Sequence, residues 1–313
     1  MTKPHSIMAL PHLALPDDFY LTRYRLTLEA EQPIHLQPVK GSALRGGFGR
    51  VFKRLTCPTY ADCRDSKYCQ RDNRCPYGYI FETSPPTNAE ALRSFSDVPR
   101  PFIIEAPVDG RQRVQPGELL TFDLILVGRA NTYQDQFEAA FADLGQSEGL
   151  GKTRACYRLR AMSAVGSATG KSLMAQAGQL SARQISLTLA TPTRLKHQGR
   201  WVQQGPSFQA LVKTLLGRLS SLCYLHCGVR LEADFRALID AAATVETVQA
   251  TTRWEDWDRF SGRQKQRVSL GGLVGEITYQ GNLAPYHPLL AAGVWTHVGK
   301  GTVFGNGQYN IRR

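Results

Sequence analysis

YLTRYRLTLE, residues Tyr20 to Glu29, is the stretch from which the rest of the chain is read. Tyr24, Leu26 and Leu28 alternate with Arg23, Arg25 and Thr27, so one side is apolar and the other polar. A period of two is that of a strand with one buried face. A turn segment with Pro33 and Pro38 follows, and then GSALRGGFGRVFKRL, Gly41 to Leu55, reads as a basic helix. Each of its glycines weakens it by about 1 kcal/mol relative to alanine, which suits a helix whose backbone is closely approached. Strands are predicted at Phe102 to Ala106 and at Glu118 to Val127. Gln134 to Leu144 carries Phe137, Ala140, Phe141 and Leu144 at helical spacing, and Tyr157 to Met162 returns to a strand.

Strand–helix–strand–strand–helix–strand is the ferredoxin-like order. Ser163 to Ala182, rich in Gly, Ser and Ala and without a period, reads as a loop or linker. A second unit opens with the strand Gln184 to Ala190. The helix Ser207 to His226 follows, with Phe208, Leu211, Val212, Leu215, Leu219 and Leu222 on one face. Glu232 to Ala243 is a further helix, and Thr247 to Trp254, Gly275 to Tyr279 and Gln308 to Ile311 are strand candidates. The expectation is an α+β protein of two tandem ferredoxin-like (RRM-like) domains, residues 1–170 and 184–313.

Hydrophobic residues make up 42% of the 313, enough for a packed core. No apolar run reaches the ~18–20 residues of a membrane span, and the N-terminal segment is broken by Pro11 and Pro16. A cytoplasmic protein is expected. The net charge of +12 points to a polyanionic partner. Between Lys40 and Arg74 lie nine basic residues, including Arg45, Arg50 and Lys53, against three acidic ones, so this segment supplies half of the excess.

Four of the seven cysteines, Cys57, Cys63, Cys69 and Cys75, fall within the same stretch at x5 spacing. Zinc pairs are usually closer, at two to four intervening residues. Four thiols on one short loop in a reducing compartment still suit a tetrahedral structural Zn²⁺. An iron–sulfur cluster would use the same ligands. Cys223 and Cys227, four apart on a helix, and Cys156 in a strand read as core residues. Glu255, Asp256 and Asp258, interleaved with Trp254 and Trp257 and flanked by Arg253, Arg259 and Arg263, read as local ion pairs rather than a metal nuclease centre.

Near the C-terminus, HVGKGTVFGNGQY places Gly299, Gly301, Gly305 and Gly307 around Lys300. Glycines allow positive φ and close approach, and consecutive N–H groups then form an anion-binding nest. A tight strand connection is the alternative reading. The cluster is neither a Walker motif nor a dinucleotide fingerprint. His226 ends a helix, where the dipole favours a cation. Of the seven histidines, only His35 and His297 stand beside the two basic clusters.

Arg253 to Ile311 resembles the C-terminal region of the CRISPR-associated Cas6 family, a branch of the RAMP superfamily. GSALRGGFG, CPYGYIFE (Cys75 to Glu82), LVGRANTY (Leu126 to Tyr133), GLGKTR (Gly149 to Arg154) and TPTRL (Thr191 to Leu195) resemble the family's remaining parts, so the likeness runs from Leu21 onward. The resemblance implies tandem RAMP domains, a glycine-rich loop that contacts RNA, and metal-independent cleavage of CRISPR repeat RNA. In that reaction the RNA's 2′-OH attacks the adjacent phosphate, giving 2′,3′-cyclic phosphate and 5′-OH ends. His35 and His297 are the candidate proton-transfer residues. Lys40, Arg45, Arg50, Lys53, Arg263, Lys300 and the four loop glycines are the candidate RNA contacts. Partners would be CRISPR repeat RNA and other Cas proteins of an effector complex. A non-catalytic RNA-binding subunit of such a complex is the alternative.

Overall fold

The first strand forms as its alternation requires. In β1 (Tyr20–Ala30), Leu26 and Leu28 are fully buried, while Arg25 on the other face pairs with Asp123 at 2.8 Å. The chain runs on through β2 (Ile34–His35), α1 (Gly41–Thr56), α2 (Pro76–Phe81), β3 (Phe102–Glu105), β4 (Arg113–Val114), β5 (Leu119–Val127), α3 (Gln134–Ser147) and β6 (Tyr157–Thr169). The second half holds α4 (Gly170–Ala177), β7 (Gln184–Thr193), β8 (Lys196–His197), β9 (Arg200–Trp201), α5 (Phe208–Leu222), α6 (Phe235–Ala242), β10 (Glu246–Glu255), β11 (Asp258–Ser261), β12 (Gln266–Ser269), β13 (Gly272–Gln280), α7 (His287–Thr296) and β14 (Tyr309–Arg312). The computed structural model describes residues 13–60, 75–83, 98–261 and 266–312, and of 258–261 and 266–268 the backbone alone.

Two four-stranded antiparallel sheets result, β3-β5-β1-β6 and β10-β13-β7-β14. Counted along each half, both run second, third, first, fourth, which is the split βαβ arrangement. α1 and α3 cover one face of the first sheet. Leu44, Phe48, Val51 and Phe52 of α1 face inward, and Phe48 stacks on Phe141 of α3 with ring centroids 4.3 Å apart. On the other face, Leu21, Ile103, Ile125 and Val127 join the core of the second half. Burial on both faces explains why FII and LILV read as unbroken apolar runs rather than alternations.

The expected linker at 163–182 is instead the end of β6 followed by α4. Thr169 caps that helix by accepting from Ser172 N–H while Ser172 Oγ accepts from Thr169 N–H. β6 is largely exposed and built of small residues, so it carries no alternation, and its order comes from pairing with β1. α7 is apolar nearly all round because it is buried nearly all round, which erased the helical period. No helix among the described residues is long and apolar enough to cross a membrane.

Candidate nucleic-acid interface

The glycine-rich segment spans 297–308, between α7 and β14. Its two ends are drawn together, with Val298 N–H donating to Gly307 O at 2.9 Å. Gly307 has φ of +76°, and any Cβ there would collide with the Val298 carbonyl. The loop seats on the first domain at the start of α1, where a Cβ on Gly41 would collide with the Phe304 carbonyl. At Gly41 the close approach read into the helix glycines is that of this loop, whereas Gly47 and Gly49 face Leu144 and Phe81 and Gly46 faces open space. Arg45, one turn further along α1, stands over Phe304 and Phe81 at 5.7 and 5.0 Å from their ring centroids.

Glu105, at the end of β3, holds both ends of the loop. Its Oε1 accepts from His297 Nε2 at 2.9 Å and from Gln308 Nε2 at 3.3 Å. Arg23 Nη2 donates to the same oxygen at 3.2 Å, and its guanidinium lies over Trp295 of α7. His297 Nδ1 donates to Asn306 O at 3.1 Å. Both ring nitrogens thus face acceptors. His297 is fully buried and presents no surface to a bound strand.

The other candidates divide into two groups. Lys300 is exposed, and its N–H donates to Arg194 O at 3.3 Å, so it belongs with Arg45 and the loop. Lys53 lies over Tyr77 at 5.3 Å. Arg50 is on the α3 side, paired with Glu148 and lining a cavity of about 480 Å³ with Arg154 and Cys156. His35 is half-buried and pairs with Arg113 across β2 and β4. Its carbonyl accepts from Lys152 N–H at 3.1 Å, in the Gly149–Ala155 turn that also reaches that cavity. No hydrogen bond or ion pair joins His35 to the glycine loop among the described residues. Lys40, taken from the sequence as an RNA contact, is 1% exposed, and its ammonium bonds Asp109 at 2.7 Å and Pro107 O at 3.0 Å. Its charge is used inside the fold, because α1 begins where the chain turns inward. Arg263 lies outside the described residues.

His226, read as a helix-end cation, is buried instead. Nε2 donates to Pro99 O at 2.8 Å and Nδ1 accepts from Tyr79 OH at 3.1 Å, which fixes a neutral tautomer. Burial pushes it down to about 4. Cys223 is buried, as expected, whereas Cys156 is only partly so. Of the three carboxylates read as local ion pairs, Glu255 pairs with Arg253 at 2.6 Å, while Asp256, just past β10, accepts from Trp254 Nε1 at 2.8 Å and the Asp258 side chain lies outside the described residues.

Of the cysteine cluster, Cys63 and Cys69 lie outside the described residues. Cys57 and Cys75 are buried at either edge of that segment, and Cys75 Sγ accepts from Gly78 N–H at 3.2 Å. Among the described residues no three His, Cys, Asp or Glu side chains gather to hold a metal. Glu105 and Arg194 escaped the sequence reading. Glu105 shows there only as a charge closing an apolar strand, and Arg194 only as part of TPTRL.

Two split-βαβ domains packed together through a glycine loop define a tandem ferredoxin-like protein. Residues 15–186 match the AF_1859_N family model, an N-terminal domain, and residues 187–309 match that of the CRISPR-associated endoribonuclease Cas6. Residues 187–309 thus form a domain of the Cas6 endoribonuclease family. No curated protein matches it. Among solved structures, Thermus thermophilus Cas6 (TTHB231) is similar at 16% identity and a TM-score of 0.55, over 94% of this chain and 99% of that one. The Cas6 (TTHA0078) product complex is similar at 16% identity and 0.54, over 94% and 100%. A chain of a partial Cas6-RT-Cas1–Cas2 complex is similar at 14% and 0.57, over 95% of this chain and 47% of that one. At these identities the likeness is one of fold.

Proposed function

We propose that the protein binds CRISPR repeat RNA across its two domains and cuts it by internal transesterification, releasing guide RNAs. The observation that carries this is the Cas6 family model over 187–309, which includes the glycine loop that Glu105 clamps onto α1. The RNA supplies its own nucleophile, the 2′-OH, so the protein needs only proton transfer and cations for the developing charge. Arg45 and Lys300 are the cations beside the loop. His35 is the proton-transfer candidate, since of the two candidate histidines it is the one that keeps part of its surface open. His297 acts as a positioning residue: its nitrogens are committed to Glu105 and Asn306. Incubating the protein with repeat RNA in EDTA tests the reading, with site-specific cutting expected.

The separation of His35 from the glycine loop favours a second reading, a RAMP subunit that holds RNA without cutting it. It predicts tight binding and intact RNA in the same experiment. In either case other Cas proteins are the proposed partners, as in the Cas6-RT-Cas1–Cas2 assembly of a similar chain. A Cys57–Cys63–Cys69–Cys75 zinc site, with an iron–sulfur cluster as the alternative, is proposed as a structural knuckle. A backbone N–H on the Cys75 sulfur is the kind of outer bond that supports a thiolate ligand.

A further inference from the structure

The segment KHQGRW, Lys196 to Trp201, follows β7 and lies apart in sequence from α1 and the glycine loop. It folds as a two-residue hairpin, with Lys196 opposite Trp201 and His197 opposite Arg200. Gln198 and Gly199 take φ of +49° and +81°, as a turn of type I′ requires. Strands this short do not hold themselves together. Their root is fixed by Val202 N–H donating to Leu195 O at 3.0 Å, with Leu195 in the core. A secured root carries a projecting tip.

That tip is chemically uniform. Lys196 and Arg200 are exposed, and Trp201 is the most open of the four tryptophans, at 36%. Lys196 Nζ lies 4.7 Å and the Arg194 guanidinium 4.9 Å from its ring. Such contacts steady an exposed ring, but by less than burying it would. Glu255 and Asp256, which follow Trp254, another ring that Arg194 overlies, are engaged by Arg253 and Trp254. An outward indole ringed by cations is what a single-stranded polynucleotide needs, because every base has a face to stack and every phosphate a charge to meet.

Arg194 ties this patch to the proposed RNA path. Its carbonyl accepts from Lys300 N–H. Its side chain donates to Gly271 O at 3.0 Å and Ser269 O at 2.9 Å, at the base of the β11–β12 pair. From Arg194 to the turn at Gln198 is on the order of 13 Å, at about 3.3 Å per residue, so the tip reaches beyond what the loop itself holds.

We propose that the Lys196–Trp201 hairpin is a second RNA-contact site that takes a single-stranded stretch flanking the cut segment. One base stacks on Trp201 while Lys196 and Arg200 meet the phosphates. The inference rests on the reading of the protein as a binder of repeat RNA. Its test is the affinity of wild type, Trp201→Ala, Trp201→Phe and Lys196→Ala/Arg200→Ala for a repeat RNA with both flanks, and for the same RNA trimmed at either end. Trp201→Ala weakens the full RNA about tenfold, the effect of one lost base–aromatic stack, and Trp201→Phe restores most of it. Trimming one flank weakens wild type equally and removes the difference between wild type and variants. Variants that bind the full RNA like wild type, or that lose the same factor on trimmed RNA, overturn the hairpin site alone. A wild type with no affinity for any repeat RNA overturns the underlying reading, and the hairpin site with it.

Discussion

His297 Nε2 donates to Glu105 Oε1 at 2.9 Å across the boundary between the two domains, with the ring fully buried and the carboxylate nearly so. Gln308, at the far end of the loop, reaches the same oxygen, so one carboxylate sets where the glycine loop lies relative to α1. Glu105→Ala leaves the buried His297 and the half-buried Arg23 without their acceptor. Breaking a buried pair in this way costs about 3–5 kcal/mol, a drop in melting temperature on the order of 10 °C. Glu105→Gln keeps an acceptor and falls between. A melting curve for Glu105→Ala that overlays the wild type would remove the clamp from the account.

Acid acts on the other interdomain joint. Burial holds His226 at about 4, whereas an unfolded histidine titrates near 6.5. Between those values the unfolded chain binds the extra proton. Stability is therefore complete above about 6.5 and is lost as pH falls toward 4, by ~3 kcal/mol for this ring. Burial lowers His287 in the same direction. Denaturant midpoints at pH 7.5 and pH 4.5 measure the loss, and His226→Gln removes most of it. A pH-independent midpoint across that range is incompatible with the buried neutral ring.

How much of this was legible in the sequence follows from what each residue faces. β1 was, because Leu26 and Leu28 bury while Arg25 and Thr27 do not, and so was α1, with Phe48 and Phe52 a turn apart. α7 and the end of β6 were not, since one is buried on all sides and the other exposed on most, and neither condition leaves a period. The glycine loop was visible as a motif, but its seat was not. Nothing in FIIE says that the glutamate crosses a domain boundary, and nothing in HVGKG says that the histidine turns inward. Lys40 shows the same limit: a charge count reads it as free, and only the fold pairs it with Asp109.

Salt separates the two groups of basic residues. About five phosphate contacts on single-stranded RNA give a log–log slope near −3.5. Arg45→Ala and Lys300→Ala each flatten that slope by about one contact. Arg50→Ala changes it little, because Glu148 already neutralises that charge. Titrations of repeat RNA from 50 to 300 mM salt, by rough choice of range, compare them. A larger change in Arg50→Ala would show that its pair with Glu148 opens to bind RNA, and would add the α3-side cavity to the RNA path.

Metal content tests the cysteine knuckle. Elemental analysis of protein prepared without chelator should give about one zinc per chain. Iron with visible absorbance assigns a cluster instead. Cys75→Ser should lower both metal content and solubility, while metal-free, fully soluble wild type would end the proposal.

The central claim is cutting by the RNA's own hydroxyl. The most direct measurement is the chemistry of the product ends from repeat RNA incubated in EDTA, beside an RNA with a 2′-deoxy nucleotide at the cut site and beside the His35→Ala protein. The account predicts one cut leaving a 2′,3′-cyclic phosphate and a 5′-OH, no cut in the deoxy RNA, and loss of cutting with binding retained in His35→Ala. Wild-type protein that binds the repeat and leaves it whole, or that cuts the deoxy RNA equally well, contradicts it.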